Sequence, residues 1–138
     1  MRRVGAVFFA MALAGCSTDP VTLQTAKSVS ADRIYAQDTM VRSSPEQAKV
    51  TFLRDSGLYG SACSHDIYVD QKKVFAIRQG EGASVFLQPG EHLLRMETGG
   101  GMCPNIAASQ EANLKPGSSQ VYRILLPSDG SLRFIRIE

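Results

Sequence analysis

Past Pro45 no segment of ten or more residues shows the clean 3.6-residue apolar period of a helix. Apolar-rich segments of five to eight residues alternate with clusters of Gly, Pro, Asp, Ser and Gln. Val50 and Phe52 share one face of a first segment, Lys49 to Arg54. Ile67 and Val69 share a face of the next, which turns at Gln71-Lys72 and returns through Val74, Phe75, Ala76 and Ile77. Gln79-Gly80-Glu81-Gly82 breaks the chain before Ala83, Val85 and Leu87 alternate, and Pro89-Gly90 breaks it again before His92, Leu94 and Met96. A weaker segment at 106–114 ends at Lys115-Pro116-Gly117. Tyr122, Ile124 and Leu126 follow, then Pro127-Ser128-Asp129-Gly130 and a last segment from Leu132 to Ile137. Period-two alternation with regular turn punctuation is the pattern of short strands, whereas a helix needs a 3.6-residue period over ten or more residues. Seven to eight short strands in about 90 residues predict an all-β domain in which two sheets bury their inner faces against each other, a small β-sandwich. At 138 residues there is room for one such domain and not for two.

The first residues obey different rules. Arg2 and Arg3 precede the apolar run Val4 to Leu13, which has the length of a secretory signal and is short for a bilayer span. The run ends in Leu13-Ala14-Gly15-Cys16, which resembles the lipobox of bacterial lipoproteins. Small side chains there let a peptidase reach the backbone, and the Cys16 thiol takes the diacylglycerol. The resemblance implies cleavage before Cys16, acylation of the freed amine, and a membrane anchor of several acyl chains, since a single chain holds only marginally. The alternatives are an ordinary secretory signal or a hydrophobic first helix that happens to end in Cys. Ser17 in place of Asp implies sorting to the outer membrane, facing the periplasm. Loss of Arg2 and Arg3 turns a net charge of +2 into formal neutrality. A neutral exported domain without a basic stripe is a poor nucleic-acid binder, and no nucleic-acid partner is expected.

With Cys16 committed to lipid, Cys63 and Cys103 remain. An even pair in an exported chain predicts a disulfide, with free thiols or soft metal ligands as the alternatives. Closing about 41 residues contributes roughly 4 kcal/mol by chain-entropy accounting. Residues 16–45 are rich in Ser, Thr, Asp and Gln and read as a lipidated tether, with one short element near Ala31–Ala36 that is either a helical turn or an edge strand. The expected organisation is therefore a signal peptide over 1–15, the lipidated N-terminus and tether over 16–45, and a sandwich over 46–138.

Two stretches carry a family resemblance. Asp66-Ile67-Tyr68-Val69-Asp70-Gln71-Lys72-Lys73-Val74 resembles the hairpin core of PEGA-like domains, in which a short strand ends in Asp-Gly-Lys-Lys; Gln71 stands where Gly is usual. Leu87-Gln88-Pro89-Gly90-Glu91-His92-Leu93-Leu94 resembles the Leu-x-Pro-Gly-Glu-His lead into the following strand of those domains. With the lipobox, the chain resembles small bacterial lipoproteins that display a PEGA-like sandwich. The resemblance covers roughly residues 48–98 and implies a module used for contact rather than chemistry. It carries no catalytic residue, metal or cofactor.

The residues themselves point the same way. Ser64-His65-Asp66 has triad residue types, but neighbours on an extended segment face alternate sides, and Gly-x-Ser-x-Gly is absent. Cys63, His65, Asp66 and Cys103 make a metal set only if the thiols stay reduced, and no Cys-x-x-Cys supports it. His92 reads as a hydrogen-bonded histidine at a sandwich end. Gly99-Gly100-Gly101 lacks the Lys-Ser/Thr of a phosphate cradle and reads as a loop positioned by Cys103. Candidate partner contacts are Met102, Pro104, Asn105 and Ile106 beside that bridge, and Leu58 and Tyr59 in the loop before Cys63; the alternative is that they simply cap the core. The sequence thus predicts a membrane-anchored, non-enzymatic envelope lipoprotein that binds a protein or glycan. An inhibitor or immunity-type lipoprotein that blocks a periplasmic enzyme or toxin is the second reading, and a small hydrolase or metal protein the third.

Overall fold

The computed structural model describes residues 18–57, 62–98, 103–126 and 131–138. Among them are nine strands: β1 (Lys27–Ser28), β2 (Ala48–Arg54), β3 (His65–Val69), β4 (Lys72–Ile77), β5 (Glu81–Leu87), β6 (Gly90–Thr98), β7 (Ala107–Leu114), β8 (Ser119–Leu125) and β9 (Arg133–Arg136). They form two sheets, one ordered β1-β5-β2-β8-β9 and the other β4-β3-β6-β7. Most neighbours are antiparallel; β1 runs parallel to β5, and β2 parallel to β8. The expected all-β sandwich is present. The predicted turn at Gln71-Lys72 lies one residue earlier, at Asp70-Gln71, and the predicted break at Glu81-Gly82 is already strand β5.

Alternation builds the core. On β2, Ala48, Val50 and Phe52 face the opposite sheet and are fully buried, as are Ile67 on β3, Leu94 and Met96 on β6, and Ile124 on β8. Phe52 sits at the centre, with ring centroids 5.6 Å from Phe75, 6.1 Å from Tyr122 and 6.0 Å from Phe134. Such aromatic clusters add directional packing to the burial of apolar area.

The tether reading does not describe residues 18–45. They form a strap bound to the sandwich, in which Val21, Val29 and Ala36 are buried. Val21 and Ala26 pack with Leu53 and Val121 on the outer face of the β2–β8 pair. The strap adds β1 beside β5, makes a 3₁₀ turn at Ala31–Arg33, and bridges Ile34 to Phe75 of β4. It therefore joins the edge strands of the two sheets and closes the seam between them. The undecided element near Ala31–Ala36 is both things in turn, a helical turn and then a one-residue bridge. A bulge makes the second attachment possible. Pairing jumps from Ile67–Phe75 to Tyr68–Lys73, which leaves the Val74 carbonyl to accept the Tyr35 N–H at 2.9 Å and the Ala36 N–H at 3.2 Å. The Arg33 guanidinium completes the seam through paired bonds of 2.7 and 2.6 Å to the Glu81 carboxylate.

Candidate functional site

Strand register collects the loops at two opposite ends. One end receives the finish of β2, β4, β6 and β8 and the start of β3, β5, β7 and β9. Cys63 and Cys103 are bonded there, with Cα atoms 6.0 Å apart. Pro104 and Asn105 lie exposed beside the bridge. The Thr98 hydroxyl donates to the Pro104 carbonyl and accepts the Ile106 N–H at 2.8 Å, so the chain after the bridge is fastened to the end of β6. The remaining predicted contacts Leu58, Tyr59 and Met102, and the anchor Cys16, lie outside the described residues. The flanks of both predicted contact loops reach this one end, as the bridge requires.

Beneath the bridge, two polar side chains occupy inner-face positions. Arg54 is the last inward residue of β2, and its Nη1 donates to the Cys63 carbonyl and to the Ile77 carbonyl at 3.0 Å. The guanidinium thus laces the start of β3 to the end of β4. Burial pulls its pKa down to about 10, with Glu81 opposing the shift. His65 is fully buried, and neither ring nitrogen has a hydrogen-bond partner among the described residues. Burial, and then the Arg54 charge, depress its pKa to about 3, so the imidazole is neutral in the fold. Asp66 turns outward instead, with its carboxylate 3.0 Å from Lys73 Nζ. Ser64, His65 and Asp66 therefore do not converge. With Cys63 and Cys103 oxidised, neither thiol is available to a metal.

The chain start is held at the same end. Asp19 and Ser56 exchange backbone hydrogen bonds of 2.7 and 3.0 Å. The buried Asp55 carboxylate accepts the Val21 N–H at 3.0 Å and lies 3.7 Å from Arg123 Nε. Arg123 Nη2 donates to the Val21 carbonyl at 3.2 Å. Thr18 packs on Gly57, where an added Cβ would stand 3.1 Å from Thr18 Cγ2.

At the far end, Asp70 and Gln71 form the two-residue β3–β4 turn with φ of 47° and 70°. Both conformations are left-handed, as a type I′ hairpin requires. Asp70 Oδ1 accepts the Leu93 N–H at 2.9 Å, and Oδ2 lies 2.6 Å from His92 Nδ1. Partial burial pushes this carboxyl upward, but the Leu93 and His92 bonds outweigh it and hold its pKa below the ordinary value.

No family model matches the chain, and no similar curated protein is found. The likeness to PEGA-like domains therefore rests on the two motifs quoted above, and the site must be read from its own geometry.

Among the described residues, two surface cavities have the dimensions of a binding site: one of about 410 Å³ lined by Asp19, Val21, Lys27 and Gln79, and a larger groove. The groove, of about 500 Å³, runs between the strap and the outer face of β2 and β5, with Leu23, Ile34 and Met40 on one wall and Lys49, Thr51 and Ser84 on the other. The Thr51 and Ser84 hydroxyls are 2.7 Å apart on this second wall. This groove, the Arg54–His65 pair and the Asp55–Arg123–Val21 clasp were all missed in the sequence. Two of them left a mark there. Arg54 continues the inward parity of Ala48, Val50 and Phe52, and Leu53 and Val121 place apolar groups on a face that a two-layer sandwich leaves wet.

Proposed function

We propose that this chain is a lipid-anchored cell-envelope protein, facing the periplasm from the outer membrane, whose sandwich binds a protein or glycan partner without catalysing a reaction. The observation that carries the reading is the Cys63–Cys103 disulfide in a chain whose Cys16 closes a lipobox-like signal. A cross-link of this kind belongs to the oxidising compartment to which such a signal leads. The charged groups described above act as fasteners: Arg33 with Glu81, Asp66 with Lys73, Asp70 with His92, Asp55 with the strap. The strap groove is the surface best suited to a partner. Its size fits a short peptide segment or a few sugar units, and its hydroxyls, Lys49 and apolar wall suit a mixed ligand.

A photo-crosslinking residue at Lys49 in intact cells, compared with and without Ser84→Arg, tests this reading. One dominant adduct that disappears when Ser84→Arg fills the groove supports it. Labelling that is diffuse, or unchanged by Ser84→Arg, ends the groove assignment. Cys16→Ser should release the protein from membranes, and continued membrane fractionation ends the anchor.

A further inference from the structure

We infer that the Cys63–Cys103 end of the sandwich rests against the lipid headgroups and that the Asp70–His92 end points away from the membrane. The inference rests on the anchored reading and adds an orientation to it. A tether over 16–45 would leave the domain free to stand off and tumble. The structure removes that slack, because the chain is already part of the fold at its first described residues. Asp19 pairs with Ser56, Val21 is held by Asp55 and Arg123, and Thr18 packs on Gly57. All of these contacts lie at the end that carries the bridge.

Only Ser17 lies between Cys16 and Thr18, so two peptide links join their Cα atoms. An extended chain spans at most about 3.6 Å per residue, so the Cys16 Cα lies within about 7 Å of the Thr18 Cα whatever its conformation. An acylated Cys16 sits at the headgroup level, because its glycerol carries the chains that enter the bilayer. The end of the sandwich nearest Thr18 is then within a few ångströms of that level. Arg78, just after β4, and Arg133, at the start of β9, are exposed at this end and offer two guanidinium groups to lipid phosphates. Pro104 and Asn105, predicted as partner contacts, become membrane-proximal. The surfaces left to a soluble partner are the flanks, including the strap groove, and the far end.

Asn105 and Lys115 flank β7, whose eight residues alone span about 26 Å along the strand. The test places a fluorescent amino acid at one or the other in the acylated full-length protein, reconstituted in phosphatidylcholine–phosphatidylglycerol vesicles with a nitroxide quencher on the headgroup. Quenching should be several-fold stronger at Asn105 than at Lys115. A flexible Gly/Ser spacer inserted between Ser17 and Thr18 should bring the two signals together. Equal quenching, or stronger quenching at Lys115, overturns the orientation when mass spectrometry shows acyl chains on Cys16. A chain without acyl groups overturns the anchored reading, and the orientation falls with it.

Discussion

His92 Nδ1 lies 2.6 Å from Asp70 Oδ2 while its Nε2 lies 2.7 Å from the Gln88 carbonyl oxygen. Both partners are hydrogen-bond acceptors. The imidazole then joins the β3–β4 turn to the β5–β6 connection. Asp70 is half exposed and its ion pair is screened, so its share of stability comes mostly from two ordinary hydrogen bonds. Asp70→Ala should cost about 1 kcal/mol at neutral pH, read as a lower urea midpoint. Asp70→Asn, which keeps an acceptor for the Leu93 N–H, should recover part of the loss.

His65 makes stability depend on pH in the opposite sense to a paired histidine. Its folded pKa of about 3 lies below the unfolded 6.5, so between those values the unfolded chain takes up a proton that the fold refuses. Stability is complete above pH 6.5 and falls as the pH drops, by at most about 1.4 kcal/mol per unit. Asp70 and Glu81, with folded pKa values below 3.8 and 4.5, add their own losses only at lower pH. Urea unfolding from pH 7 to pH 5 should show the slope, and His65→Leu should reduce it by the His65 contribution. Parallel curves for the two proteins would mean that His65 is not the group that titrates.

Gln71 adopts φ of 70° without the glycine that makes such a conformation inexpensive. A left-handed non-glycine residue costs about 1–2 kcal/mol, part of which glycine returns as entropy in the unfolded chain. Gln71→Gly should therefore raise stability by about 0.5–1 kcal/mol. A thermal melt showing a lower midpoint would place an unseen contact on the Gln71 side chain.

The disulfide closes a sequence separation of 40 residues between loops at one end of the sandwich. Chain-entropy accounting gives about 4 kcal/mol for a loop of that size. Cys63→Ala together with Cys103→Ala should lower the unfolding free energy by about that amount, read as a lower denaturant midpoint. Hydrogen exchange should speed most at the Thr98 and Ile106 amides, which are bonded across the β6–β7 connection that carries Cys103. Uniform acceleration over both sheets would mean that the bridge acts through the unfolded chain alone.

The strands were legible in the sequence because alternation and turn residues are local signals, and even the weak segment at 106–114 became β7. The strap was not, because its stability comes from contacts far along the chain. Thr, Ser and Gln at 18–45 look like a linker until Val21 is set against Leu53 and Val121, or Arg33 against Glu81, some 48 residues later. The outward Leu53 and Val121 were the available clue. The Arg54–His65 pair was hidden for a related reason. Parity puts both inside, but only the meeting of two sheets shows that they share one sealed end.

Gly82 gives the means to separate the strap from the rest of the fold. It lies on the outer face of β5, where an added Cβ would stand 2.9 Å from both Ala26 Cβ and Leu53 Cδ2. Leu53 is buried on a central strand and has little room to move, so the strap must give way. Gly82→Ala should cost about 1–3 kcal/mol as overpacking. Trypsin should then cut faster at Lys27, which is exposed but held by the Lys27 N–H bond of 2.9 Å to the Gly80 carbonyl. Because the strap alone links Thr18 to the seam, loosening it should also weaken the headgroup quenching contrast between Asn105 and Lys115. Faster cutting with an unchanged contrast would show that the Asp19–Ser56 pairing suffices to hold the orientation. Unchanged cutting would show that Leu53 yields instead and that the strap is more firmly seated than its few buried residues suggest.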